Sequence, residues 1–196
     1  VAVHLESLVS CGERIYATGS TAFWLNVFAN IPQVRGGSDQ GATNPWWAHV
    51  MYQVNTGEDP DTSIQWLKAL NVRYVVVDFP NASTVYNDYI YPFKFEGRLE
   101  KLFHWGGVSV YEIPTSNSAW VQLVNSEAAE HARPIWGVLD REGLADYLEM
   151  VENSTANGSI EYVVKNPDEI TLSVMGCSGR ESLLVKSTFD PRWTAT

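Results

Sequence analysis

The chain has 196 residues and a formal net charge of −10, with 45% hydrophobic and 18% charged residues. That composition can bury a core and is unlike a disordered tail. The acidic balance, with no Lys/Arg cluster, argues against nucleic acid as a partner.

No run reaches the roughly 18 consecutive apolar residues of a membrane helix, and no signal peptide is visible. The start at Val1 reads as a piece cut from something longer. Eight Trp and nine Tyr are many for this length. Such rings fill cores, stack on sugars and line interfaces.

In chain order, "RIYATG" (14–19) reads as a short strand ending at Gly19, and "TAFWLNVFAN" follows as a buried helix or buried extended run. "GGSDQGATNPWWAHVMYQV" reads as a loop entering a helix, with Asn44 suited to the N-cap and Pro45 to the first turn. Trp46, Val50 and Val54 would share one face of that helix, and Trp47 and Met51 the next. Thr62 to Leu70 reads as a helix with capping-box spacing between Thr62 and Gln65.

Val72 to Val77 is a β-branched run following at once, the mark of a covered sheet in an α/β layer. Residues 99–113 read as a hairpin turning at Gly106-Gly107. "PTSNS" from Pro114 marks a boundary. Beyond it come a strand at "AWVQLV", an amphipathic helix from Asp140 to Val151 and a hairpin. The hairpin alternates Ile160, Tyr162, Val164 with Ile170, Leu172, Val174 and should bury one face. "SLLVKSTF" is a final strand. The expected fold class is α+β: an α/β domain over 1–113, then a β-rich, sandwich-like domain over 117–196 with one helix and a truncated C-terminal end.

The residues name no reaction. Asp59-Pro-Asp61 has the spacing of a metal-binding Asp-x-Asp, but negative charge at this point suits the start of the next helix. His4, His49, His104 and His131 show no metal-ligand spacing, so no metal and no cofactor is expected. There is no nucleophile elbow and no nucleophilic Cys motif, so no catalytic residue is assigned. Asp78, Glu96 and Glu100 could serve as acid or base, with nothing favouring them over other carboxylates. Cys11 and Cys177 could pair in an oxidising compartment or remain separate thiols.

Asn81-Ala-Ser83, Asn153-Ser-Thr155 and Asn157-Gly-Ser159 are glycosylation sequons, slightly more than chance supplies. The best ligand candidate is the stretch holding Asp39, Gln40, Asn44, Trp46, Trp47 and His49. It offers polar groups and flat rings of the kind sugars stack on. The competing reading is a loop with a Trp-rich core helix behind it.

Three segments carry a resemblance. "RIYATGSTAFWLNVFANIPQVRGGSDQG", then "WLKALNVRYVVVDFP" with "FHWGGVSVYEIP", then "PDEITLSVMG" with "SLLVKSTFDPRW" resemble the extracytoplasmic region of polytopic bacterial and archaeal membrane proteins. These are similar to GT-C-type glycosyltransferases and to membrane proteins related to 6-pyruvoyl-tetrahydropterin synthase. The resemblance spans Arg14 to Trp193. It implies a soluble extracytoplasmic domain, tethered to a membrane in its parent and non-catalytic in itself. Its partners would be the parent's transmembrane part and a glycan, lipid-linked sugar or acceptor.

A synthase would need a three-His zinc site, which the four histidines do not supply. Oligosaccharyltransferase catalytic subunits carry Trp-Trp-Asp. Here Ala48 follows Trp46-Trp47, so acceptor-sequon reading is not carried over. Two further expectations stand beside the glycan-binding domain. One is a structural or interaction module of such a parent, and the other a free-standing hydrolase or transferase acting on carbohydrate.

Overall fold

The computed structural model describes residues 1–10, 12–34, 44, 46–166, 169–187 and 192–194. Its class is α+β. Four strands form the main sheet: β1 (Arg14–Tyr16), β2 (Val72–Asp78), β3 (Glu100–Trp105) and β4 (Val108–Glu112), in the order β1-β2-β4-β3. β1 runs parallel to β2, while β4 pairs antiparallel with both β2 and β3.

Alternation sorts each central strand between two cores. Val75 and Val77 of β2 join Tyr111 and Ile113 on one side of the sheet. Tyr74 and Val76 join Val108 and Val110 on the other. The first side is covered by α3 (Trp47–Thr56), α4 (Pro60–Ala69) and α6 (Arg141–Glu152), which contribute Val54, Leu67 and Leu144. The second is covered by α1 (Ala2–Leu8) and α2 (Gly19–Phe28), through Leu5, Ala22 and Leu25.

The helix starts follow local chemistry. Asp59 caps α4, accepting from the amides of Asp61 (3.3 Å) and Thr62 (2.9 Å), with Pro60 as the first helical residue. The expected Thr62–Gln65 box does not form: Thr62 Oγ1 and Gln65 Oε1 are buried without a partner among the described residues. Asp59 caps the helix three residues earlier, so Thr62 lies inside its first turn and not at the N-cap. α6 is capped by Asp140, which accepts from Gly143 N at 3.1 Å.

Beyond Pro114 lie two separate two-stranded sheets. One pairs β5 (Val121–Asn125) with β8 (Glu181–Val185), and the other β6 (Ser159–Asn166) with β7 (Glu169–Met175). Two helices stand here where the pattern suggests one. The extra one, α5 (Ser126–His131), buries none of its residues and so carries no apolar stripe to read.

The hydrophobic core does not stop at the boundary after Ile113. Leu144 and Leu148 belong to the same cluster as Trp66 and Val75, and Trp66 Nε1 donates to the Val138 carbonyl at 2.8 Å. Lys186, next to β8, donates to Asn71 Oδ1 (2.9 Å) and to the Asn117 carbonyl (3.0 Å). Burial first, then the repulsion of Arg14, brings this ammonium down to about 8, against the pull of Glu152. The β6–β7 hairpin alternates as expected, but its apolar face is only partly covered. Ile160, Tyr162, Ile170 and Leu172 are half-buried, and Val164 and Val174 are exposed. Among the described residues no helix is long and apolar enough to cross a membrane.

The hairpin turn is tied to the chain leaving β2. Phe79 N donates to the Gly107 carbonyl at 2.8 Å. A Cβ on Gly107 would stand 2.5 Å from Ala82 N, on a backbone of φ +79°. Gly107→Ala is therefore expected to destabilise the fold by about 2–4 kcal/mol, from a backbone clash and a left-handed φ together. Gly97→Ala is the comparison, at φ +71° with nothing within 4 Å, and should cost about 1 kcal/mol. Chemical denaturation of both variants checks the difference, and equal losses would show that close approach to Ala82 does not matter.

Candidate functional site

The six residues favoured by sequence fall only in part within the described residues. Asp39 and Gln40 lie outside the described residues, as do Pro45 and Cys11. Cys177 is exposed, and its pairing with Cys11 falls outside the described residues as well. Asn44 is not the helix N-cap. The helix begins at Trp47, and Asn44 Oδ1 instead accepts from Trp46 N at 2.9 Å, one turn ahead of the helix.

That offset separates the two tryptophans. Trp47 is 7% exposed and packs edge-on against Tyr16, ring centroids 6.4 Å apart. Trp46, at the N-cap position with a helical backbone, is 41% exposed and does not join the buried Val50–Val54 stripe. Its ring sits 6.2 Å from that of His49, also exposed. Tyr52, three residues further along α3, is 71% exposed. Helical spacing of three puts Trp46, His49 and Tyr52 along one outer edge of α3. The result is a short aromatic stripe.

A second aromatic region surrounds the 3₁₀ turn Pro92–Phe95. Phe95 faces inward and is fully buried, while Phe93 is 60% exposed. Phe93 stands between two clefts. One, of about 460 Å³, is lined by Phe79, Asn81, Phe93, Glu96, Lys101 and His104. Phe79 and Phe93 meet edge to face at 5.0 Å, and His104 approaches Phe79 at 6.2 Å. Lys101 Nζ and Glu96 Oε1 pair at 2.7 Å, which holds the ammonium above its ordinary value. The other cleft, of about 670 Å³, is bordered by Glu58, Asp59, Ile90, Tyr91, Phe93 and Lys94.

Lys94 is structural there. Its Nζ donates to the carbonyls of Val54 and Gly57, both at 2.7 Å, and to Ser63 Oγ at 3.0 Å. It thereby satisfies the carbonyl end of α3. Burial brings it down to about 8, against the pull of Asp59.

The nominated carboxylates take different roles. Glu96 lines the first cleft. Glu100 borders a shallow recess with Arg73 and Glu112, where Arg73 forms an ion pair with Glu112. Asp59 is engaged as a helix cap and pairs with Arg141 at 2.5 Å, and Asp61 pairs with Arg98 at 3.1 Å. This is the helix-start role that their position suggests.

Asp78 is the unusual carboxylate. It ends β2, is 1% exposed, and accepts from Thr21 Oγ1, which is 3.0 Å from each of its oxygens. Burial raises its pKa from 3.8 to about 6. Thr21 opposes the shift and Asp88 adds to it by repulsion. Asp88 itself accepts from Gly19 N at 3.2 Å, at the start of α2.

The four histidines are apart in role. His4 stacks on Phe103 at 4.5 Å, His104 pairs with Ser109 Oγ at 2.8 Å, and His131 contacts the Glu127 carbonyl at 2.7 Å. Among the described residues no group of three or more His, Cys, Asp or Glu could hold a metal ion. Compared with family models, with curated proteins and with solved structures, the chain matches none.

Asp78 gives the fold a distinct pH dependence. The folded chain holds this proton more tightly than the unfolded chain. The resulting stabilisation is complete below about 3.8, the unfolded value, and is lost as pH rises through about 6. Asp78→Asn keeps an acceptor for Thr21 without the buried charge. It should raise stability at pH 8 by about 1–2 kcal/mol and flatten the slope between pH 4 and 6. Urea denaturation at pH 4.5 and pH 8 measures both, and an unchanged slope would reject this source of pH dependence.

Proposed function

We propose that the chain is a non-catalytic extracytoplasmic domain of a GT-C-like membrane glycosyltransferase, and that it binds glycan, lipid-linked sugar or acceptor on the outer edge of α3. The supporting observation is the exposed stripe of Trp46, His49 and Tyr52. Each ring offers a flat apolar face for the C–H groups of a sugar, with a ring nitrogen or hydroxyl beside it for the sugar's oxygens. The membrane parent is supported by the resemblance of the three segments between Arg14 and Trp193.

A second reading has its own observation. The outer face of α2 exposes Phe23 (55%), Trp24 (60%), Val27 (64%) and Phe28 (67%). The helix bears no charged residue. A contiguous apolar face of this kind suits a protein contact, and in this reading the chain is an interaction module that seats α2 against the parent's transmembrane part.

The two readings separate by mutation. Trp46→Ala and Tyr52→Ala should each weaken glycan binding about twofold to tenfold, the worth of one stacked ring, with circular dichroism unchanged. Trp24→Ser with Phe28→Ser should leave glycan binding alone and release the chain from the parent's membrane part. A glycan array without any signal for the native chain would remove the ligand reading and leave the interaction module.

A further inference from the structure

Of the three sequon asparagines, all of them exposed, Asn81 stands apart in its surroundings. The segment Phe79-Pro80-Asn81-Ala82-Ser83 leaves β2 directly. Ala82 N donates to the Phe79 carbonyl at 2.9 Å, which closes a β-turn with Pro80 and Asn81 at its centre. The turn is braced from beneath by the Gly107 carbonyl. Asn81 then lines the same cleft as Phe79, Phe93 and His104. Asn153 and Asn157, by contrast, flank the loop after α6. Asn153 borders a recess whose lining contains no Phe, Tyr or Trp.

From this juxtaposition we infer that Asn81 is an N-glycan acceptor whose first sugar folds back onto the aromatic cleft beside it. This rests on the extracytoplasmic reading above, since transfer from a lipid-linked donor to asparagine takes place on that side. In the step itself, Asn81 Nδ2 forms a bond to the anomeric carbon of a sugar carried on a polyprenyl phosphate or diphosphate. The bond from that carbon to the phosphate oxygen breaks. The lipid phosphate leaves with the electron pair, and one amide proton passes to a base of the transferring enzyme.

The cleft then supplies what the attached sugar needs. The exposed face of Phe93 takes its C–H face, and the Glu96–Lys101 pair offers partners to its hydroxyls. The cleft opens to solvent, as a sugar held on an exposed turn requires. Tethering raises the effective concentration of the sugar at the cleft, so even a weak contact is occupied. The α3 stripe remains open for a separate glycan.

The test secretes the whole chain from a eukaryotic host and maps occupied sites by mass spectrometry after enzymatic glycan release in heavy-oxygen water. The inference expects label at Asn81. It expects that label to vanish in Asn81→Gln and in Ser83→Ala, the second of which keeps the asparagine. Glycan release should lower the thermal midpoint by about 2–4 °C in the native chain and by much less in Phe93→Ala.

An unlabelled Asn81 in the secreted chain overturns the inference, whatever Asn153 and Asn157 carry. An occupied Asn81 with the same midpoint before and after release overturns the seating on the cleft. Protease accessibility of the parent in its own cells is read separately. An interior location there would sink the extracytoplasmic reading while leaving the acceptor chemistry of the turn measured.

Discussion

β2 must be covered on both of its faces, and most of the architecture answers that requirement. Its five residues from Tyr74 to Asp78 are all buried, so neither side of the sheet can face water. One side is met by α3 and α4, which directly precede the strand in sequence, and by α6. The other is met by α1 and α2. A strand of this kind cannot be satisfied by the helix next to it alone. Part of the core is recruited from about 70 residues further along, where α6 packs on α4 and adds Leu144 and Leu148 to the cluster that holds Val75 and Val77. For this reason the second half of the chain shares a core with the first.

The same demand explains where polar groups are buried. At the end of β2 the chain must turn while still under cover. There Asp78 is held by Thr21, and the side chain of Asn87 donates to the carbonyls of Asp78 and Phe79 at 3.0 and 3.2 Å. At its start, Asn71 adopts φ +58° after α4 and receives Lys186. Both ends of the central strand are thus fixed by side chains from remote segments. The hydrogen bonds offset the desolvation that burial imposes on each polar group.

Elements whose period and boundaries coincide were legible from sequence. α4 followed by β2 is the clearest case, because an apolar face and a β-branched run stand in direct succession, although the helix is capped by Asp59 and not by the Thr62–Gln65 pair. The Gly106-Gly107 hairpin is another. α1 and α5 bury one residue and none, respectively, so no periodicity marks them. The candidate site was legible only in part. That one tryptophan of the Trp46-Trp47 pair is claimed by the core follows from helical geometry. Which one is claimed depends on the helix starting at Trp47, a shift of one or two residues that sequence does not resolve. The clefts beside Phe93 were invisible, since residues 79–81, 93–96 and 101–104 meet only through the fold. Phe79 ahead of the Asn81 sequon was the one local hint.

The bond from Lys186 to Asn71 joins residues 115 positions apart. On the ribosome, the α/β sheet and its early helices emerge well before α6 and β8 are made. During that interval the flank of α4 around Trp66 and Leu67 has no helix to cover it, and Asn71 has no ammonium to bind. Contacts of such long range slow the search for the native state, and the uncovered aromatic flank is the kind of surface that invites aggregation or a chaperone. The seam that unites the two halves therefore also sets the order in which they become stable.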